Sequence, residues 1–399
     1  MLITIARIQK TQARICAMNS SSFRIAYLLA KAILMRTLHV MAKRLHPSLL
    51  AALALGMTIA SPSSAADLRV GMIGVDTSHA QEFTARLNDP ANPSYVPGAR
   101  IVAAFPVASP ELPGSAERIE GFTNTVRDKY GVRIVKSIEE LLQTIDAVMI
   151  LSLDGRVHLE QVKAVLPSKK PIFLDKPVAS SLKDAVTIYQ LAEAAGTPLF
   201  SSSAVRWYPS VLEVANAKVQ APSGAISSGP CPLQLFHPDL FFYGIHPTEA
   251  LFTVLGSGCV SVVCTAGPGA SVITGQWSDG RVGTLFAMHT WPAPYKVTLF
   301  GRDQVAEQRS DNGDYTPMVR EMVKFFQTGT PPVTAAKTLE IYAFMEAADE
   351  SKRRKGTPVL LREMLQQADC PEQWQLPKKV KPPAPPQASE PAPIPGGLK

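Results

Sequence analysis

The residues most able to do chemistry follow the predicted strands of the chain, and the first of them lie in the turn Gly71–His79. A dinucleotide fingerprint aligned on Gly74 would have glycines at the positions of Asp76 and His79. The second glycine of that fingerprint lets the backbone approach a pyrophosphate, and a carboxylate there would repel the phosphates. The second predicted strand ends at Phe105 without an Asp or Glu directly after it to bind ribose hydroxyls. The usual sequence marks of tight NAD binding are therefore weak.

Later strands are also followed by polar residues. The apolar run Ala147–Ser152 leads into Leu151–His158, and the run Pro171–Leu174 leads into Asp175-Lys176-Pro177. The last apolar run, Pro198–Ser201, leads into three serines that precede Arg206. Because ligands of an open parallel sheet bind beyond the carboxyl ends of its strands, we expect these residues to share one site.

The elements that must position these residues form two patterns. Continuous apolar runs predict strands buried on both faces, at Leu68–Gly74, Arg100–Phe105, Ala147–Ser152, Pro171–Leu174 and Pro198–Ser201. Helical segments separate the runs: Ser137-Ile-Glu-Glu140 is a capping box, and the helix Leu182–Ala195 has Gly196 as its stop signal. Strands separated by helices predict a parallel, doubly wound sheet.

The second half of the chain has a different pattern. From about Gly224 to Gly301, short alternating stretches rich in Val, Thr, Gly and aromatic residues predict antiparallel strands, and helical segments return after Thr316. The predicted fold is α/β: a Rossmann-type doubly wound parallel sheet over residues 66–206, followed by an α+β domain over residues 207–375. We expect this second domain to have a largely antiparallel open sheet, covered by helices on one face.

The order and spacing of these motifs resemble the Gfo/Idh/MocA family (glucose-fructose oxidoreductase / inositol dehydrogenase). The resemblance runs from about Leu68 to Arg362 and is carried by His158 at a helix start, Asp175-Lys176-Pro177, Phe200–Pro209 and Tyr243-Gly-Ile-His246-Pro-Thr-Glu249. It implies hydride transfer between NAD or NADP and a hydroxyl carbon of a sugar or polyol. It also implies that the sheet of the second domain can mediate a homo-oligomer.

The resemblance implies roles for individual residues. Lys176, preceded by Asp175 where the family has Glu, would bind the substrate oxygen, and His246 would be the general acid/base. An imidazole suits removal of a hydroxyl proton, and a nearby ammonium stabilises the developing alkoxide. The predicted cofactor-binding residues are Gly74, Asp76, Thr77, Ser78, His79, Ser152, His158, Asp175 and Pro177, and the predicted substrate-binding residues are Arg206, Tyr243 and Glu249.

Two functional interpretations remain open at the level of sequence. The first is an NAD(P)-dependent oxidoreductase that acts on a sugar or polyol. The second is a family member that has lost the dinucleotide and binds a saccharide or processes it without redox chemistry, an alternative that rests on Asp76, His79 and the missing ribose acid. A metal held by Asp76, His79, Asp175 and His246 has no support from local ligand spacing, so no metal site is predicted.

The net charge of +7 comes from the amino-terminal segment, because residues 1–65 hold eight Lys and Arg and no Asp or Glu. The remaining chain is close to neutral, which excludes a typical nucleic-acid-binding protein. Residues 41–65 have the basic start, short apolar run and small residues of a secretory signal. Residues 1–40 have no place in such a signal, which favours Met41 as the true start of the protein. The apolar run is short of the roughly 20 residues that a membrane span needs. We expect export to the periplasm or cell exterior, with no membrane span after processing.

The carboxyl-terminal residues 376–399 are rich in proline and hold four lysines against a single glutamate. Such a composition predicts a disordered, solvated tail, which could associate with the cell envelope. Four cysteines, Cys231, Cys259, Cys264 and Cys370, follow the signal. In an exported protein they could form disulfides, and their spacing does not determine a pairing.

Overall fold

The computed structural model describes residues 67–310 and 313–375. The predicted signal, residues 41–65, and the predicted tail, residues 376–399, lie outside the described residues. Within the described ranges, no helix is both long and apolar enough to cross a bilayer.

The first domain is built on a six-stranded parallel sheet with the order β3-β2-β1-β4-β5-β6. All four residues of β4 are buried, as expected for a central strand covered on both faces. The strands are β1 Leu68–Ile73, β2 Ala99–Phe105, β3 Arg133–Ile134, β4 Ala147–Ile150, β5 Ile172–Leu174 and β6 Leu199–Phe200. The predicted doubly wound parallel sheet is confirmed.

Helices connect these strands, and their ends follow the predicted signals. They are α1 Ser78–Asn88, α2 Pro113–Ala116, α3 Ile119–Asp128, α4 Ile138–Leu142, α5 His158–Val165 and α6 Leu182–Ala195. Ser137 caps α4 by accepting a hydrogen bond from the backbone N–H of Glu140, and Gly196 ends α6 in the left-handed conformation with φ of 62°. Both sequence signals are confirmed at these positions.

The second domain contains a seven-stranded sheet with the order β12-β11-β7-β10-β9-β8-β13. The β7–β10 pair is parallel and the other neighbours are antiparallel, so the predicted largely antiparallel sheet is confirmed. The strands are β7 Gly224–Pro230, β8 Cys259–Ala266, β9 Ala270–Trp277, β10 Val282–Met288, β11 Lys296–Phe300, β12 Val305–Glu307 and β13 Val359–Leu360. The helices are α7 Pro209–Ala215, α8 Ile245–Leu255, α9 Thr316–Thr328, α10 Ala335–Arg353 and α11 Leu361–Gln367.

One face of this second sheet is covered and the other is open. The helices α8 and α10 pack on the covered face, where Leu285 and Ala287 are fully buried. On the open face, Ile226, Val282 and Phe286 are each more than two-fifths exposed. This alternation along each strand is the pattern of a sheet with one solvated face.

Two helices of the second half also pack against the first domain. Phe325 of α9 lies edge-on to Phe200 of β6, with ring centroids 4.8 Å apart. The hydroxyl of Tyr342 in α10 accepts a hydrogen bond from the backbone N–H of Val178, at 2.6 Å. The loop that follows β5 is therefore held by a residue of the second half.

Candidate active site

A cavity of about 470 Å³ lies where the carboxyl ends of the parallel strands face the second domain. This volume is in the range of small-molecule sites. Seven of the predicted site residues line it together: Thr77, Ser78, His79, Asp175, Lys176, Tyr243 and His246. The aromatic side chains of Tyr208, Phe242, Trp291, Tyr295 and Tyr315 form much of the remaining wall.

His79 and Asp175 form a buried pair at one side of the cavity. The two side chains come from the start of α1 and the end of β5, and His79 Nδ1 lies 2.6 Å from Asp175 Oδ2. Burial alone would raise the pKa of Asp175, but the charges of His79 and Lys176 and their hydrogen bonds hold that pKa below its usual value. Asp175 is therefore an ionised hydrogen-bond acceptor.

Lys176 lies beside this pair and is only 7% exposed. Its Nζ lies 5.0 Å from the ring centroid of Tyr243 and 6.0 Å from that of Phe242. Burial lowers the pKa of Lys176, and the charge of Asp175 opposes the change. The ammonium makes no ion pair with any residue in the described ranges. It can therefore bind an oxygen of a ligand in the cavity.

His246 reaches the cavity from the first turn of α8. Its Nδ1 lies 2.6 Å from Ser203 Oγ, and its ring packs edge-on against Tyr243 and Tyr295. Burial lowers the pKa of His246 well below its usual value, and the charges of Lys176 and His79 lower it further. His246 is therefore a neutral imidazole within the cavity wall.

Glu249 and Arg206 do not line the cavity but fix the loop that holds Ser203. Glu249 accepts hydrogen bonds from the backbone N–H of Ser203 at 2.9 Å and from Arg206 Nε at 2.6 Å. Ser202 Oγ donates to the same carboxylate and accepts from the indole N–H of Trp207. Two of the three predicted substrate-binding residues, Arg206 and Glu249, thus lie behind the cavity wall and pair with each other there. The third, Tyr243, lines the cavity.

Asp76 is fully buried and does not line the cavity. Its Oδ2 accepts a hydrogen bond from Ser115 Oγ at 2.5 Å, and its Oδ1 accepts one from the backbone N–H of Leu153 at 3.1 Å. These contacts join the turn after β1 to the loops that follow β2 and β4. We call Asp76, Ser115 and Leu153 the Asp76 latch.

Further contacts join the loops that follow β2 and β4 at the carboxyl ends of the parallel strands. Leu112, Leu153 and Phe242 form a small apolar cluster. Arg156, in the loop after β4, donates a hydrogen bond to Glu111, in the loop after β2, at 3.0 Å. The loops after β2 and β4 are therefore joined across the position of β1.

The other predicted cofactor residues lie inside the protein. His158 is fully buried, with Nε2 2.9 Å from the carbonyl oxygen of Ser152 and Nδ1 3.3 Å from that of Val178. Gly74 has φ of 81°, and a Cβ there would lie 2.5 Å from the backbone nitrogen of Ser152. Ser152, His158 and Gly74 thus pack the turns after β1, β4 and β5 together, and neither they nor Pro177 line the cavity.

The serines after β6 were expected near the site because they follow a strand, and Ser203 does lie against His246. Other features of the cavity escaped the sequence reasoning. The rings of Trp291, Tyr295 and Tyr315 come from loops without a periodic pattern, and no sequence signal predicted their place. The four cysteines in the described ranges are all buried, and none of them forms a disulfide in this structure.

Folds of this type bind a dinucleotide at the switch point, which here lies between β1 and β4, with the pyrophosphate at the start of the first helix. The first turn of α1 lines the cavity, so the cavity suits the nicotinamide end of such a cofactor. The Asp76 latch bridges the switch point itself. The adenosine end would therefore fit only after the latch separates.

Comparisons with known proteins give the same family for the first domain. Residues 68–202 match the family model described as oxidoreductase family, NAD-binding Rossmann fold (GFO_IDH_MocA). The chain is 30% identical over 144 residues to an inositol 2-dehydrogenase of Cereibacter sphaeroides. That alignment covers 35% of this chain and 37% of the relative, so it spans little more than a third of the relative's length.

Solved structures share the fold over both domains. A probable dehydrogenase from Thermotoga maritima is 18% identical and has a TM-score of 0.60, covering 74% of this chain and 100% of its own. A myo-inositol 2-dehydrogenase from Lactobacillus plantarum is 15% identical with a TM-score of 0.61, covering 74% and 99%. An Agrobacterium radiobacter oxidoreductase, solved with NAD⁺, L-tartaric acid and magnesium, is 17% identical with a TM-score of 0.60, covering 75% and 100%.

The matched profile spans the parallel sheet and the residues that follow its strands, from the turn at Gly74 to the serines after β6. Residues 68–202 therefore resemble the NAD-binding Rossmann domain of the Gfo/Idh/MocA oxidoreductase family.

Proposed function

We propose that the protein is an NAD(P)-dependent oxidoreductase that interconverts a hydroxyl and a carbonyl group on a sugar or polyol. The observation that carries this proposal is the position of Lys176. Its buried ammonium shares one cavity with two imidazoles, those of His79 and His246. This set of groups can bind a substrate oxygen and move its proton.

The walls of the cavity support a polyhydroxylated ring as the substrate. Tyr243, Tyr295 and Trp291 offer aromatic surfaces, on which the apolar face of a sugar or cyclitol can pack. Lys176, His246 and His79 offer polar groups to the hydroxyls. The named relatives include inositol dehydrogenases, which agrees with a substrate of this class.

Each cavity residue has a part in the proposed reaction. Lys176 binds the oxygen at the reacting carbon and stabilises negative charge on it as the hydroxyl proton leaves. The imidazoles hold this oxygen and exchange its proton with solvent. A nicotinamide dinucleotide supplies hydride-accepting or hydride-donating chemistry when it is bound.

Binding of the cofactor is the direct test. Purified protein is titrated with NAD⁺, NADP⁺ and their reduced forms, and heat release and protein fluorescence are followed. We expect saturable binding of at least one dinucleotide and stabilisation by it against thermal unfolding. Absence of binding for all four, together with no retained nicotinamide absorbance, would contradict the proposal.

A second candidate function follows from the Asp76 latch. A cavity closed toward the adenosine end would suit a protein that binds a saccharide without a dinucleotide. A thermal-shift screen of sugars with and without NAD⁺ separates the candidates. Stabilisation by a sugar in the absence of any dinucleotide favours this second function, whereas stabilisation that requires NAD⁺ favours the oxidoreductase.

Two further proposals concern the context of the molecule. The signal-like residues 41–65 support export to the periplasm or cell exterior. Fractionation of cells that produce the full chain, followed by sequencing of the mature amino terminus, tests it. The open apolar face of the second sheet supports a homo-oligomer.

A further inference from the structure

The two imidazoles of the cavity have different hydrogen-bond partners. His79 Nδ1 lies 2.6 Å from a carboxylate oxygen of Asp175. His246 Nδ1 lies at the same distance from the hydroxyl oxygen of Ser203. A carboxylate can only accept, so it decides which ring nitrogen of a neutral His79 carries the proton. A hydroxyl can donate or accept, so for His246 the other hydrogen bond of Ser203 decides.

Asp175 fixes the tautomer of His79. The ionised carboxylate accepts from the backbone N–H of Lys176 through Oδ1, and Oδ2 faces His79. Nδ1 of His79 therefore carries a proton and donates it to Oδ2. When the ring is neutral, Nε2 has a lone pair, and no hydrogen-bond partner for Nε2 is found among residues 67–310 and 313–375. That lone pair can accept a proton from a ligand in the cavity that His79 lines.

Ser203 gives His246 the opposite tautomer. Ser203 Oγ already accepts a hydrogen bond from the backbone N–H of Val205 at 3.1 Å. Its own proton needs an acceptor, and Nδ1 of His246 is the acceptor at 2.6 Å. Nε2 of His246 therefore carries the ring proton and can donate a hydrogen bond. The lowered pKa of His246, which burial causes first and the charge of Lys176 second, keeps this imidazole neutral.

We infer that His79, oriented by Asp175, accepts the proton of the substrate hydroxyl, and that His246 is a neutral hydrogen-bond donor to the substrate. This inference rests on the proposed function. In the oxidation direction, the O–H bond breaks and its proton moves to His79 Nε2. A bound oxidised nicotinamide dinucleotide would supply the acceptor for the hydride of the adjacent C–H bond, and the electrons of the O–H bond would form the C=O bond. Lys176 stabilises the oxygen while its charge develops.

The surroundings of His79 hold its ring in place for this role. Its ring packs on Phe83 at 5.0 Å and edge-on to Tyr315 at 5.1 Å between centroids. The charged and titratable groups that face it are Asp175, Lys176, Tyr315 and, across the cavity, His246. Asp175 is the one member of this set that accepts a hydrogen bond from Nδ1. Asp175 is thus a positioning residue for His79.

The tautomers can be measured without a substrate. The full chain is labelled with ¹⁵N-histidine, and long-range proton–nitrogen spectra are recorded near pH 8, with His79→Gln and His246→Gln used for assignment. We expect a protonated Nδ1 and bare Nε2 for His79, and the reverse for His246. Asp175→Asn should reverse the tautomer of His79, because the amide can donate to Nδ1. The inference is overturned if His79 carries its proton on Nε2, or His246 on Nδ1, in the unmodified chain.

Turnover gives the second readout, with myo-inositol and glucose as probes and NAD⁺ and NADP⁺ as oxidants. We expect His79→Gln to lower kcat by about 10²- to 10⁴-fold. His79→Gly, which leaves space for a ring, should regain activity with added imidazole, whereas His246→Gly should not. His289→Gln is the matched control, since that histidine bonds Ser271 outside the cavity. Equal rescue of both glycine variants would count against the inference.

The two proposals fail in different ways. Lack of turnover and of dinucleotide binding in the unmodified chain would remove the proposed function, while the nitrogen spectra would still decide the tautomers. Turnover that persists in His79→Gln and is abolished in His246→Gln would keep the oxidoreductase and overturn the role of His79. Thermal unfolding of each variant checks that its fold is intact.

Discussion

At the scale of single residues, Lys176 is the most informative group of the site. A buried ammonium loses hydration, and this loss is the reason that its pKa is lowered. The aromatic faces of Tyr243 and Phe242 recover part of the loss. A ligand oxygen in the cavity would recover more of it. We therefore expect Lys176 to contribute to ligand binding and not to stability.

This role predicts opposite effects of one substitution on activity and on stability. Lys176→Met should lower kcat by about 10²-fold or more, because a group that stabilises the developing charge is lost. Its thermal midpoint should be unchanged or higher, since an unpaired charge has left the interior. Lys163→Met is the control, because Lys163 is exposed and pairs with Glu160. A large fall in the thermal midpoint of Lys176→Met would show that the lysine is structural.

Asp349 in α10 gives a second prediction at this scale. Burial raises its pKa to about 7, and the charges of Asp239 and Glu346 raise it as well, whereas Arg353 and Lys352 oppose them. Because the folded pKa lies above the unfolded value, the contribution of Asp349 to stability is largest below about pH 4 and is lost as the pH rises through 7. Above that range the residue destabilises the fold.

We therefore expect Asp349→Asn to raise the free energy of unfolding at pH 8 by about 1–3 kcal/mol and to change it less at pH 5. Urea unfolding at both pH values measures the difference. Equal effects of the substitution at pH 5 and pH 8 would show that Asp349 does not titrate with folding.

At the scale of elements, the loops that follow the parallel strands decide what can enter the site. The strands themselves could be predicted, because long apolar runs report burial on both faces. The orientation of the Asp76 side chain could not be predicted, because it depends on a hydrogen bond from Ser115, which lies 39 residues further along the chain. The aromatic residues that line the cavity could not be predicted either, since Trp291 and Tyr315 lie in loops that only the tertiary fold brings together.

The Asp76 latch predicts that removing its side chain improves dinucleotide binding. Asp76→Gly removes both the carboxylate charge and the bridge to Ser115 and Leu153, so we expect the dissociation constant for NAD⁺ to fall at least about tenfold. Asp76→Asn keeps an acceptor for Leu153 and removes only the charge, and it should give a smaller gain. Calorimetric titration of both variants measures these effects. An unchanged dissociation constant for Asp76→Gly would show that the latch does not limit cofactor entry.

At the scale of the whole molecule, the second sheet has a face with exposed apolar residues that no layer of the described residues covers. Phe286 of β10 lies opposite Val272 of β9, and Ile226 of β7 lies on the same face. Contiguous exposed apolar residues of this kind mark interaction surfaces. A second copy of the chain that presents the same face would cover it in a symmetric pair.

We expect the protein to form a dimer or higher homo-oligomer through this face. Phe286→Lys should shift it toward the monomer, because a charge would be buried in the interface. Light scattering coupled to size-exclusion chromatography measures the mass. Leu235→Ser is the control, since Leu235 is an exposed apolar residue outside the sheet. A monomeric unmodified protein, or an unchanged mass for Phe286→Lys, would contradict the expectation.

The hydrogen bond between Val178 and Tyr342 has a consequence for how such proteins can be recombined. It connects the backbone next to Lys176 with a hydroxyl that lies 164 residues away in α10. A chimera that took residues 67–206 from this chain and the rest from a relative with Phe at that helix position would leave a buried N–H without an acceptor. The halves of such enzymes would then be exchanged successfully only as matched pairs, and a library of hybrids would show this coupling as an excess of inactive combinations.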